Sequence, residues 1–518
     1  MADKLKIGKR NINISDIRDV ALFFRGVEIS GDAKPLLQKN FDYLKERSRT
    51  EVVYGINTGF GPMAHVFISE EKQLELQYNL IRSHAVGLGD HMSVAQIRSI
   101  MLVRLQTLLK SHSGVTSEVC KLLAEFLNRG ITPVVYKHGS VGASGDLVQL
   151  AHIAQALIGE GQVLYNGKIR DTKEIFKSVL SKDRILPLQI TLREGLALIN
   201  GTASMTGIGA LNIYHAKNIL NCSILSSAIL FEIVQASEDY FSKEISIVRP
   251  HKGQSQVGKL FRGILKKSKL ICRNDIRLKN GLTHESTAVM DRHRQEIYSI
   301  RCAIQILGPV FDQLVQSQEV LEVEMNSVTD NPVTFTGSKI VHGGNFHGDY
   351  VSFEMDKIKI AMTKLSMFSE RKINFLFNDK INKMFTPFLN LATPGLDLGL
   401  QGLQFVATST VAENQSLSSS VYIHSIPTNN DNQDIVSMGT NSALLTDVVI
   451  RNTREVVAIE LLSVVRAVYL LGILNSMSPK TREFYKRISK VVSLDQDLIV
   501  REDVEKVVKL IETEEFSI

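Results

Sequence analysis

The sequence predicts a mainly α-helical protein, with an N-terminal domain over residues 1–200 and a long helix bundle with C-terminal helices over 201–518. Three observations carry this reading. No Gly or Pro occurs from Ala210 to Arg249, from Asp349 to Thr386, or from Thr440 to Leu471. Such runs exceed ordinary globular helices and suit a bundle. Residues 93–110 have helical periodicity: Ile97, Ile100, Met101, Leu105, Leu108 and Leu109 share one face, after Ser93 as a cap. No Gly/Ser/Pro-rich linker divides the chain, so the two regions are expected to pack as one body.

Composition narrows the class. The chain has 518 residues, 44% hydrophobic and 22% charged, which suits a large soluble globular protein with ample core. A net charge of +6 is too small and too dispersed to imply a nucleic-acid partner. The four cysteines, Cys120, Cys222, Cys272 and Cys302, have no paired spacing for zinc or a redox dithiol and read as buried free thiols. The start has no apolar run of signal-peptide type. The uncharged stretch Gly195 to Ala216 carries Asn200, Thr202, Ser204 and Thr206, so it reads as protein interior and no membrane span is expected. A reducing cytoplasm is the expected compartment.

In chain order, residues 1–50 read as a mixed cap. Tyr54-Gly55-Ile56-Asn57-Thr58-Gly59-Phe60-Gly61-Pro62 is glycine-rich, but it lacks the Gly-Lys-Ser/Thr ending of a phosphate loop, and Pro62 blocks a continuing helix. Ser83-His84 follows in Leu76 to Gly87. A helix from Ser117 to Asn128 ends at Gly130. After His138-Gly139-Ser140-Val141-Gly142-Ala143-Ser144-Gly145-Asp146-Leu147 comes a helix through Ala151-His152-Ile153-Ala154, and residues 160–190 read as a strand-and-turn excursion. Asn200 sits in Leu196 to Thr202. The lysine-rich stretch 259–280 reads as an exposed connection. His342 and His347 are five apart, but the glycines between them and the missing carboxylate pattern argue against a metal.

The tripeptide Ala143-Ser144-Gly145 has a chemistry of its own. Attack of the Gly145 nitrogen on the Ala143 carbonyl carbon would close a five-membered ring, and loss of two waters, one from Ser144, would leave an exocyclic methylidene. That is an electrophile, which no ordinary side chain provides. Arg301, in Gln295 to Gln305, offers a permanently charged fork for a carboxylate, and Tyr298 one turn earlier shares its helix face.

These motifs together resemble the aromatic amino acid ammonia-lyases, the family of histidine, phenylalanine and tyrosine ammonia-lyases and related aminomutases, over nearly the whole chain. The resemblance implies a mainly helical, fumarase/aspartase-like bundle of the ammonia-lyase type, although no counterpart of the fumarase Gly-Ser-Ser loop is seen. It implies that Ala143-Ser144-Gly145 matures to 4-methylidene-imidazol-5-one (MIO), with no metal or dissociable cofactor. It places Tyr54 on a mobile loop as catalytic acid/base, and Asn200 beside the cofactor. It implies that Tyr298 and Arg301 are catalytic, Arg301 binding the substrate carboxylate with Asn331 nearby. By the same resemblance Phe346 would face the cofactor, Glu413 would lie near the amine or ring, and Gln433 would hold the cofactor or Tyr54. Ile304 stands where many members have proline, which alters the helix locally but removes no catalytic group. Members are homotetramers whose active sites draw on three subunits.

Substrate choice rests on Ser83-His84. Phenylalanine enzymes of the family typically carry Phe-Leu there, many tyrosine enzymes His-Leu, and histidine enzymes Ser-His; a bacterial branch of tyrosine enzymes also carries Ser-His. Arg82, Ile423-His424-Ser425-Ile426-Pro427 and Asn429-Asn430-Asp431-Asn432-Gln433-Asp434 resemble that branch. Deamination of L-tyrosine to p-coumarate is favoured over histidine to urocanate, with a 2,3-aminomutase yielding a β-amino acid as a third reading. His84 can hydrogen-bond a phenol or an imidazole. A tyrosine base requires a pKa lowered by nearby positive charge or donors, and alkaline activity is expected.

Overall fold

The computed structural model describes residues 4–273, 295–393, 395–495 and 500–518. The end of the lysine-rich stretch, from 274, lies outside the described residues. The chain forms two compact units. One holds Met1–Tyr214, Ser317–Lys357 and Ser420–Asp447; the other holds His215–Gln316, Ile358–Ser419 and Val448–Ile518. A cut at residue 200 divides the sequence once, whereas each compact unit draws on three stretches of chain.

The first unit opens with parallel strands Leu5–Ile7 and Val27–Ile29 and helices Ile14–Ala21 and Ala33–Arg47. Asn13 starts the first helix through a capping box with Asp16. Ser93 does the same for Val94–Leu109: its hydroxyl accepts the Gln96 N–H (3.2 Å), and the Gln96 side chain accepts the Ser93 N–H (2.9 Å). This helix is buried on nearly every side rather than on one face. The reason is visible at Arg98, whose guanidinium reaches the Val20 and Leu127 carbonyls at 2.8–3.0 Å. Both carbonyls lie in the last turns of neighbouring helices, where acceptors lack partners and a cation is favoured. Helix Ser117–Arg129 closes at Gly130, which has φ +65°. The 160–190 excursion contains the antiparallel pair Gln162–Tyr165 and Lys168–Asp171, and also a short helix, Thr172–Ser178.

The glycine-free runs locate three long helices but not all their ends. Gly439–Leu471 matches its run almost residue for residue, and Asp349–Phe377 starts where expected. Ala203–Ile233 instead begins seven residues before Ala210, across Gly207 and Gly209. A Cβ on Gly207 would sit 2.7 Å from the Ile100 nitrogen, so this glycine permits a close helix crossing. No helix among the described residues is long and apolar enough to cross a membrane.

The second unit contains helices that the glycine criterion passes over. Ala303–Glu324 carries Gly308 and Pro309. Gly308 faces Gly253 of helix Lys252–Ile264, where an added Cβ would lie 2.1 Å from the Gly308 carbonyl oxygen. The unit also includes Gln401–Leu417, Pro479–Ser489 and Val500–Thr513. Its interior holds Lys372, whose ammonium meets Glu460 at 2.5 Å and Ser227 at 2.9 Å. Burial pushes the Lys372 pKa down, and Glu460 opposes that. Of the cysteines, Cys120 and Cys222 are buried; Cys272 and Cys302 are only half-buried, contrary to expectation.

Candidate active site

The tripeptide lies in a loop pinned from several directions. Gly142 and Gly145 have φ of +71° and +73°. A Cβ on Gly145 would fall 2.1 Å from the Gly201 carbonyl oxygen, so only glycine fits. That oxygen accepts the Asp146 N–H at 2.8 Å. The buried Asp146 carboxylate accepts from Ser140 (2.7 Å), Thr440 (2.5 Å) and the Met205 N–H (2.9 Å). The Gly142 carbonyl accepts the Ser437 hydroxyl at 2.9 Å and the Gly348 N–H at 3.0 Å. These contacts bend the backbone around Ala143, which is buried.

The carbonyl and the hydroxyl of Ser144 each have an amide donor. Asn200 Nδ2 donates to the Ser144 carbonyl (2.9 Å), and Gln433 Nε2 donates to its hydroxyl (2.8 Å). Asn200 Oδ1 in turn accepts the Asn331 N–H at 2.9 Å, and Asn331 Oδ1 accepts the Gly343 N–H at 2.9 Å. Beneath them, Arg193 and Asp330 are fully buried and paired at 2.8 Å, and Arg193 also donates to the Asn331 carbonyl. This donor set fits a ring made from the tripeptide: one amide holds the carbonyl that such a ring keeps, and the other holds the hydroxyl that dehydration removes.

A cavity of about 500 Å³ opens over Ser144. Ser144 itself, Tyr54, Ser83, His84, Asn200, Asn331, Phe346 and Gln433 all line it, so eight of the sequence-derived site residues meet in one place. Leu76, Leu80, Leu147 and Leu196 give it apolar walls suited to an aromatic ring. The Tyr54 hydroxyl accepts the Gly61 N–H at 3.0 Å, and the Tyr54 N–H donates to His342 Nε2 at 3.2 Å. Burial raises the Tyr54 pKa above its ordinary value; the Gly61 hydrogen bond and the charge of Arg193 oppose it. The lowered value that a neutral-pH base requires is therefore not what this environment gives. His84 Nδ1 lies 2.9 Å from the Leu80 carbonyl, which can only accept. The Ser83 hydroxyl lies 3.0 Å from the same nitrogen; in the tautomer that donates to Leu80, Nδ1 carries the proton and Nε2 of the neutral ring is an acceptor. Burial lowers the His84 pKa and favours that neutral form, against the Leu80 hydrogen bond.

Tyr298, Arg301 and Glu413 belong to the second unit. The four-residue helix Tyr298–Arg301 sets the Arg301 guanidinium 5.1 Å from the centre of the Tyr298 ring, as the shared face requires. Tyr298 is exposed, and Arg301 Nε is buried and has no hydrogen-bond partner among the described residues. Glu413 accepts from Asn452 at 2.8 Å. His342 and His347 are engaged separately, His347 pairing with Asp349 at 3.2 Å.

Sequence reasoning missed several contributors. Asn57 braces the Tyr54 loop through three hydrogen bonds, from the Val53 N–H and to the Ser48 and Glu51 carbonyls. Asn429, Asn430 and Asp431 take positive φ in succession, and an added Cβ on Gly61 would meet the Asn429 amide at 2.6 Å. The Asn-rich composition of 429–432 was the available signal, since Asn and Asp tolerate that backbone.

Comparison with known proteins agrees with this geometry. A family model described as aromatic amino acid lyase matches residues 12–490. The chain is 36% identical to the MIO-dependent tyrosine 2,3-aminomutase of Streptomyces globisporus, over 99% of this chain and 95% of that protein. It is 39% identical to the histidine ammonia-lyase of Geobacillus kaustophilus, over 89% and 87% respectively. The crystal structure of the Streptomyces globisporus tyrosine aminomutase superposes with a TM-score of 0.92 at 33% identity, covering 99% of this chain and 98% of that one. With the family model spanning most of its length and these relatives spanning nearly all of it, the chain belongs to the aromatic amino acid lyase family.

Proposed function

We propose that this protein is a MIO-dependent aromatic 2,3-aminomutase acting on L-tyrosine. The observation that carries the reading is one cavity lined by both Ser144 and His84; with Nδ1 of His84 donating to Leu80, its Nε2 is the acceptor offered to a substrate. A phenol hydroxyl is a donor, and a site built around such a pair rejects phenylalanine. The tyrosine 2,3-aminomutases among the relatives support the mutase outcome over simple deamination to p-coumarate, which the sequence favoured.

Elimination removes a Cβ proton that is barely acidic and a poor nitrogen leaving group. The ring formed from Ala143-Ser144-Gly145 would supply an electrophile. Asn200 would hold its carbonyl, and Gln433 would hold the serine hydroxyl before dehydration. Tyr54 takes the Cβ proton as tyrosinate. Ammonia leaves from Cα, giving the acrylate. In the mutase the acrylate stays bound; ammonia returns to Cβ and a proton to Cα, so the atoms balance. Fixing Cα–Cβ against Tyr54 supplies the proximity term. Asn331 and Phe346 would position the substrate. Arg301, Tyr298 and Glu413 would complete the site from partner subunits of a homotetramer, Arg301 binding the carboxylate.

A second reading is histidine ammonia-lyase, because Nε2 of His84 accepts an imidazole N–H equally well and such enzymes are among the relatives. Purified protein incubated separately with L-tyrosine, L-histidine and L-phenylalanine tests both, with acrylates followed by near-ultraviolet absorbance and β-amino acids by chiral chromatography with mass detection. β-Tyrosine as a major product supports the proposal. Coumarate without β-tyrosine makes the enzyme a lyase, and preferential urocanate replaces the proposal with the second reading.

A further inference from the structure

We propose that His152 is a positioning residue that sets the place of His84 relative to the tripeptide; the inference rests on the proposed role of His84 toward the substrate phenol. Helix Leu147–Leu157 begins two residues after Gly145. Gln149 and His152, one turn apart, face the same neighbours. Gln149 Nε2 donates to the Tyr136 and Lys137 carbonyls at 3.3 and 3.2 Å, on the strand that leads into the tripeptide loop. His152 Nε2 accepts the Gly87 N–H at 3.0 Å. Gly87 ends the turn that leaves His84, a turn closed by the Val86 N–H on the His84 carbonyl at 2.9 Å. One helix thus holds both ends of the substrate-recognition span: the tripeptide through its own N-terminus, and the selectivity pair through His152.

The joint has little slack. The His152 ring packs on Tyr136, with centroids 5.2 Å apart. A Cβ on Gly87 would lie 3.1 Å from His152 Nε2, 3.1 Å from Tyr136 Cβ and 3.2 Å from the His138 carbonyl. Leu88, next in the chain, pairs with His138 on that same strand, whereas the Arg82–Glu160 bridge at 2.7 Å is largely exposed, and exposed bridges hold geometry weakly. Burial lowers the His152 pKa and so keeps the ring an acceptor.

The test compares inhibition of tyrosine turnover by p-coumarate and by cinnamate, which differ only by the phenol hydroxyl. In His152→Leu, p-coumarate should weaken about tenfold, the reach of one well-placed hydrogen bond, while cinnamate stays within about twofold. His152→Gln, which keeps an acceptor, should recover most of the loss. Equal weakening of both inhibitors, or no recovery with glutamine, makes His152 merely structural and overturns the proposal. If His152→Leu does not fold, Gly87→Ala crowds the same hydrogen bond and gives the same readout. A wild-type enzyme that does not distinguish the two acrylates sinks the reading of His84 itself. One that distinguishes them, in a His152→Leu variant that still does, sinks only the role of His152.

Discussion

Replacing Asn200 with alanine removes two hydrogen bonds of very different importance. Asn200 is 4% exposed, so water does not substitute freely for either. On one side the Asn331 N–H loses the Asn200 oxygen but keeps Asp330 Oδ1 at 2.8 Å, so the stability cost is small, about 1 kcal/mol. On the other side the Ser144 carbonyl loses its amide donor. In the proposed ring this carbonyl would remain, conjugated with the methylidene, so the donor would withdraw charge where charge develops. Loss of a donor in that position costs roughly 10²–10³ in kcat.

The assay has three parts: intact mass, urea denaturation and turnover of tyrosine. Mass reports whether the chain is two waters light and separates failed maturation from failed catalysis. Asn200→Asp sharpens the comparison, because it keeps an acceptor for the Asn331 N–H and places a carboxylate oxygen against the Ser144 carbonyl. If the Ser144 contact matters, aspartate rescues nothing. The reasoning is refuted if Asn200→Ala has the matured mass and turns over within about threefold of wild type, since a donor to the reacting group is worth far more.

Other expectations follow from the same geometry. If Tyr54 is the base of the proposed reaction, only its deprotonated form accepts the proton, so activity is expected above its pKa and should fall as pH drops through it. Because burial raises that pKa, the limb of a pH–rate profile should lie on the alkaline side, and Tyr54→Phe should lose roughly 10²–10⁴ in kcat and abolish that limb. Gly145→Ala puts a Cβ 2.1 Å from the Gly201 oxygen at φ +73°, so intact mass should show the unmatured chain. Asn57→Ala removes three hydrogen bonds that brace the Tyr54 loop and should cost about 1–3 kcal/mol in urea denaturation, with a higher KM for tyrosine.

Local chemistry was legible in the sequence wherever a short contact decides the outcome. Ser93 starts its helix because its partner Gln96 is three residues away, and Gly130 ends another because only the left-handed region closes that turn. The sharp bend at Ala143-Ser144-Gly145 was legible for the same reason, since Gly142 and Gly145 take the left-handed backbone that small residues there allow. Boundaries set by distant backbone were not. Gly207 reads as a helix breaker in isolation, but the approach of Ile100 makes it the residue that lets the helix pass. Gly308 does the same against Gly253, hiding the helix Ala303–Glu324 from any criterion based on missing glycine. The environment of Tyr54 shows the limit most clearly. A motif states which group acts, but its pKa is a sum of burial, the Gly61 N–H and the field of Arg193, a residue 139 positions away that no local pattern connects to it. Desolvation wins that sum, so the expectation of alkaline activity now rests on a raised pKa rather than on a lowered one.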